Sequence, residues 1–174
     1  MRLVAILAGA VFLWLVTAMQ VPSHERLPIQ AIVIGAVVSQ PFGCTNLDLE
    51  PFDARCPSHH IHTGIDLAAP DGTDVHSATA GTAFTGYDPL GAGNYVVVAV
   101  DEHVRVIYCH LSGFQVGAGD AVAPGQVIGL VGATGLATGA HVHLRSTSMA
   151  SRSTPTSFWV LNRLGRRDVA GSLT

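Results

Sequence analysis

From residue 60 onward the chain is cut by glycines into apolar segments too short for ordinary helices. Residues 75–85, 95–100, 104–110, 121–131 and 141–146 are those segments, and none carries a convincing 3.6-residue apolar period. Asp101-Glu102-His103 separates two of them and reads as the tip of an antiparallel hairpin. Nineteen glycines against 6% aromatic residues agree with a turn-rich β domain. The expected fold is therefore all-β, a sandwich or a barrel. A length of 174 residues suits one domain with an N-terminal appendage. A core of about 130 residues buries about two thirds of its unfolded surface and needs no staple to fold.

Residues 3–21 form the one long apolar run, preceded by Arg2. Its length suits either a membrane anchor, for which about 20 residues suffice, or a cleaved signal peptide with small residues at Val16-Thr17-Ala18. Both place the domain outside the cytoplasm. Cys44 and Cys56 bracket a loop containing Pro51, and in an oxidising compartment they are expected to pair, for a gain of about 3 kcal/mol. Cys109 is left over; strand alternation turns it away from His110, as a buried and inert thiol. A net charge of −3 with 12% charged residues leaves no basic patch, so nucleic acid is not an expected partner.

The nine histidines equal all lysines and arginines together. His141 and His143 stand two apart at the start of a predicted strand, so both project from one face. His62 and Asp66, read as one strand, share a face at i and i+4, with Gly64 between them leaving room for a metal and a water. Two imidazoles and one carboxylate are a three-ligand zinc set with an open fourth position, the pattern of catalytic sites. The spacing leaves open which of His141 and His143 is the ligand. His110 ends a predicted strand just before a turn, where an imidazole can reach the mouth of a site to position water or stabilise an oxyanion.

HxGxD at 62–66, YxHLS at 108–112 and GxTGxxTGxHxH at 132–143, in this order and spacing, resemble the lysostaphin/LytM-type zinc metallopeptidases, family M23. The resemblance begins near Ser39-Gln40-Pro41-Phe42-Gly43 and runs to Leu144. It implies a mostly antiparallel β-sandwich with a groove across one sheet, occupying residues 39–147; the apolar run predicts a helix at 1–21, a linker at 22–38 ends in a strand expected over 29–38, and a tail follows at 148–174. It also implies one zinc ion held by His62, Asp66 and His143, with His110 and His141 as the catalytic histidines. The implied reaction is hydrolysis of amide bonds in peptidoglycan stem or cross-bridge peptides, with a zinc-bound water as nucleophile. The expected location is secreted, periplasmic or cell-surface, with membrane attachment only through an uncleaved residue 3–21 segment; the expected state is a monomer.

Arg145 departs from the pattern, because an acidic residue is usual there. His76 is read as structural, His24 and His103 as exposed, and His59 and His60 as loop residues, the alternative being that a longer strand lets His60, on the same face as His62, reach the metal. Asn94 is a candidate for lining the groove, or else a turn residue tolerant of positive φ. Two other functions compete with the enzyme. A non-catalytic wall-binding or amidase-activating module would use the same groove, and the complete set of five residues counts against it. The VxxGQxIG text at 122–129 is similar to lipoyl and biotinyl domains, but their carrier lysine is missing, since the chain has no lysine.

Overall fold

The computed structural model describes residues 27–148; the apolar run at 3–21, the start of the linker and the tail from 149 lie outside the described residues. Within them the chain is all-β, with one turn of 3-10 helix at Ile29–Ala31. The strands are β1 Val37–Gln40, β2 Gly43–Thr45, β3 His60–His62, β4 Ile65–Ala68, β5 Asp74–His76 and β6 Gly81–Asp88. They continue with β7 Gly93–Ala99, β8 Val104–Leu111, β9 Gly113–Phe114, β10 Ala121–Val122, β11 Val127–Leu130 and β12 His141–Ser148. Seven strands form one sheet in the order β1-β4-β12-β8-β7-β6-β10; a second sheet is β5-β11-β9, and β2 pairs β3 alone. Every pairing is antiparallel. Among the described residues no helix is long and apolar enough to cross a membrane.

The core lies between the two larger sheets. Leu67, Val96, Val98, Val106, Tyr108, Val142 and Leu144 of the large sheet pack with Val75 and Ile128 of the small one. Period-two alternation then sends the intervening residues of the large sheet to its other face, and the site is built there.

Three expected strands differ. Residues 29–38 do not run as one strand: Pro28 precedes the 3-10 turn, and strand geometry begins only at Val37. Ile32 and Val33 are buried there, and the carbonyl of Ile32 accepts the backbone N–H of His76, so this segment closes one end of the core. His76 adds a ring contact, Nδ1 to the same carbonyl at 3.3 Å, a structural role. Residues 75–85 split into β5 and β6, which belong to different sheets. At the crossing the Ala78 N–H donates to the Tyr108 hydroxyl at 2.7 Å and the Ser77 hydroxyl donates to the Thr79 carbonyl at 2.7 Å. Residues 121–131 split likewise, at the Pro124-Gly125 turn where Gly125 takes φ of 80°. The hairpin at 101–103 forms as expected, with Asp101 Oδ1 accepting the N–H groups of His103 and Val104.

Candidate metal centre

β4, β12 and β8 lie side by side, and their register sets Asp66 opposite His143 and His143 opposite Cys109. Directly opposed residues share a face, so this row forms the floor of a groove. His62 reaches the row from elsewhere. β3 ends at His62, Thr63-Gly64 turns a corner, and Asp66 lies in another sheet, so His62 and Asp66 are not on one strand face as expected. Gly64 also serves a different purpose from the one expected. A Cβ there would come within 2.5 Å of the Leu144 carbonyl oxygen and 2.6 Å of His143 Nε2, so the missing side chain makes room for the His143 ring and the neighbouring backbone.

His62 Nε2 stands 2.9 Å from His143 Nδ1 and 3.1 Å from Asp66 Oδ1, and His143 Nδ1 stands 2.9 Å from Asp66 Oδ1. His62 is fully buried, and its Nδ1 donates to the Pro41 carbonyl at 2.9 Å, which turns the Nε2 lone pair toward the other two atoms. At most one proton is then left to satisfy three acceptors. A metal cation satisfies all three, and separations near 3 Å suit atoms sharing an ion at about 2.0–2.2 Å. The electrostatics agree. Burial opposes a charged His62, yet its bonds to Asp66 and Pro41, and the Asp66 and Glu50 carboxylates, hold its pKa above the ordinary value. Burial opposes a charged Asp66, yet the His143 and His62 bonds hold its pKa far below the carboxylate range. Both shifts favour positive charge at one point. Among the described residues these three form a group able to hold a metal ion. Glu50 adds a carboxylate oxygen 4.0 Å from His62 Nε2.

The other two histidines stand beside this group. The rings of His110 and His141 have centroids 4.8 Å apart, and His110 and His143 6.1 Å. His141 Nδ1 donates to the Gly139 carbonyl at 2.8 Å, leaving Nε2 3.8 Å from Asp66 Oδ2. His110 Nδ1 donates to the Thr134 carbonyl at 2.9 Å. Burial, with the nearby His141 and His143, holds His110 below the ordinary imidazole pKa despite that carbonyl. Its free Nε2 is therefore a lone pair at neutral pH.

His110 owes its direction to a β-bulge. In β7 and β8, Val96 pairs Tyr108 while Asn94 pairs Leu111, so β8 carries one extra residue, and His110 takes φ of 65°. Tyr108 and Leu111 remain in the core while Cys109 and His110 both line the groove, so Cys109 does not face away from His110 as alternation implied. Burial, against the opposing charge of Arg145 and with smaller contributions from Asp66 and Asp88, pushes the Cys109 thiol up to about 11, so it stays protonated. Asn94 is not among the residues lining the groove; its side-chain amide donates to the Leu111 carbonyl at 3.0 Å, beside the bulge. The residue at positive φ in its turn is Gly93. Thr134, which sequence reasoning passed over, accepts the Asn94 N–H and donates to the same Leu111 carbonyl. Its signal lay in the GxTG text, whose function is packing: a Cβ on Gly93 would strike Thr134, and one on Gly135 would strike Gly93.

The groove has a volume of about 340 Å³, and its far wall is the loop carrying Leu47, Leu49, Glu50 and Pro51. The expected disulfide, Cys44–Cys56, closes that loop. His60 belongs to β3, not to a loop, but its Nδ1 donates to the Glu50 carbonyl at 2.7 Å, so it secures the wall and stays off the metal cluster. His59 stacks on Phe52 at the surface.

An all-β domain with a His-Asp-His cluster able to hold a metal ion in an open groove, flanked by two further imidazoles, is the class these observations define. Residues 60–155 match peptidase family M23, more than half of the 174-residue chain, and the chain belongs to that family. It is 43% identical over 83 residues to the DD-carboxypeptidase/endopeptidase Mpg of Neisseria meningitidis serogroup B, covering 48% of this chain and 19% of that protein. To the glycyl-glycine endopeptidase ALE-1 of Staphylococcus capitis it is 38% identical over 96 residues, covering 53% and 26%. The chain thus spans about a fifth to a quarter of these relatives' lengths. A zinc-containing peptidase from Vibrio cholerae superposes with a TM-score of 0.57 at 27% identity, over 70% of this chain and 37% of that one.

Proposed function

We propose that this chain is an exported zinc endopeptidase that hydrolyses amide bonds in the peptides of peptidoglycan, its catalytic domain at 39–147 preceded by the export segment at 1–21. The observation carrying this reading is the His62-Asp66-His143 cluster with His110 and His141 beside it in one open groove. A zinc ion held by those three residues supplies Lewis acidity and lowers the pKa of a water toward neutrality. The rest falls to side chains. His110, neutral and with its Nδ1 committed to Thr134, offers Nε2 as the base that takes a proton from the attacking water. His141, held by Gly139 with its Nε2 toward the groove, stabilises the negative oxygen that develops on the carbonyl. Addition of water breaks the C–N bond, leaving a carboxylic acid on one product and an amine, which receives the proton, on the other.

The test uses the oxidised chain with several purified peptidoglycans, with and without chelator, and mass spectrometry of the released fragments. Chelator-sensitive release of peptides is the expected result. His62→Ala should lose both metal and activity, while His110→Ala should keep zinc and lose about 10²- to 10⁴-fold in rate. No release from any wall, with one zinc firmly bound per chain, would replace the enzyme with a wall-binding module.

A further inference from the structure

Arg145 is the one lysine or arginine among the residues that line the groove. It follows His143 by two on β12, so His141, His143 and Arg145 project from one face, with about 6.5–7 Å between successive members. The His110–His141 pair stands on one side of the metal cluster, and Arg145 stands on the other. Across the strand it meets Ile107, an apolar residue. The ion pairs of the described residues involve Arg55 and histidines, never Arg145. The side chain is exposed. An unpaired guanidinium beside a cation site does not help hold the cation, because like charges repel. What it favours is an anion brought by a ligand. Elsewhere the groove repels one, since its other charged residues are Glu50, Asp66 and Asp88.

We propose that Arg145 is a specificity residue that binds a free carboxylate on the substrate peptide, on the residue next to the one that supplies the scissile carbonyl, on the side away from His110 and His141. The planar guanidinium presents paired N–H donors that match a carboxylate. Proton delivery to the departing nitrogen needs an imidazole, and the two groove imidazoles outside the metal cluster, His110 and His141, lie on one side of it, so Arg145 faces the acyl side of the bond. Wall peptides containing acidic or diamino-diacid residues display such a carboxylate, whereas an all-glycine bridge displays none. The inference rests on the peptidase reading above and narrows its substrate.

The experiment compares the zinc-loaded full chain with its Arg145→Gln and Arg145→Lys variants on synthetic D-alanyl-linked stem-peptide dimers. One dimer carries a free carboxylate on the diamino-diacid that precedes the acyl-side D-alanine, a second carries it there as the carboxamide, and a third is amidated only on the amine side. Wild type should cut the free-carboxylate dimer with kcat/KM about 10- to 100-fold above that of the acyl-side carboxamide. Arg145→Gln should lose that preference, and Arg145→Lys should keep part of it. A preference that survives Arg145→Gln, or one set by the amine-side group, overturns the proposal. If no dimer is cut, the peptidoglycan digests described above decide the peptidase reading, and calorimetric titration with the same dimers still decides on Arg145. Tighter binding of the free acid that vanishes in Arg145→Gln upholds it, and equal binding of acid and carboxamide by wild type overturns it.

Discussion

Gly64→Ala tests whether the ligand cluster depends on a corner with no side chain. An added Cβ lands 2.5 Å from the Leu144 carbonyl oxygen, 2.6 Å from His143 Nε2 and 2.7 Å from His143 Cε1. The Leu144 carbonyl belongs to β12, which is paired on both sides by β4 and β8, so it has nowhere to retreat. Either the corner or the His143 ring must move. Overpacking of this kind costs about 1–3 kcal/mol, or roughly 3–12 °C in Tm for a domain of this size. The ring matters more than the melt. His143 Nδ1 stands 2.9 Å from both other ligand atoms, and a tilt of the ring withdraws it from both. Zinc affinity should then fall about 10- to 100-fold, the usual cost of disturbing the residues that orient a ligand. The assays are thermal melts of the metal-free chain and chelator competition for zinc. Gly113→Ala, where the added Cβ meets nothing within 4 Å, is the control and should change neither. Wild-type zinc affinity in Gly64→Ala, with a Tm shift below about 1 °C, would refute the argument.

Asn94→Ala removes the amide that holds the Leu111 carbonyl beside the bulge. It should cost about 1 kcal/mol in stability, leave zinc content unchanged, and lower kcat more than it raises KM. Reducing Cys44–Cys56, or replacing both cysteines by serine, frees the loop bearing Glu50 and Pro51. Denaturant melts should show a loss of about 3 kcal/mol, and KM should rise because one groove wall loosens. Folding holds His110 below its ordinary imidazole value, chiefly by burial. In the metal-free chain its contribution to stability is therefore full above about pH 6.5 and is lost as pH falls through the depressed value. Melts of His110→Phe against pH should lack that acid-side decline.

The motifs HxGxD and HxH named the atoms that converge, but strand periodicity alone could not describe how. Reading 62–66 as one strand named residues that do converge but gave the wrong geometry, because the chain turns at Thr63-Gly64 and brings Asp66 in from a different sheet. The β-class of the chain was legible because glycines and the Asp101-Glu102-His103 tip keep the apolar runs short, whereas strand ends were not. Pro28 with the buried Ile32 and Val33, and the Ser77–Tyr108 crossing, replace strand with tertiary packing that no local pattern records. The disulfide was legible from spacing and compartment. The bulge at Cys109-His110 was the least legible feature and has the largest chemical consequence. Alternation allows one of two neighbouring residues to face the groove, and here both do. What pays for the left-handed φ of His110 is distributed over distant residues: the Ala92 carbonyl accepts its N–H, the Thr134 carbonyl accepts its Nδ1–H, and Asn94 and Thr134 both donate to the Leu111 carbonyl. Those two loops can approach only because Gly93 and Gly135 lack side chains where they meet. The glycine-rich stretches on either side of His110 and His141 are thus part of the groove's geometry, acting through the backbone that aims His110.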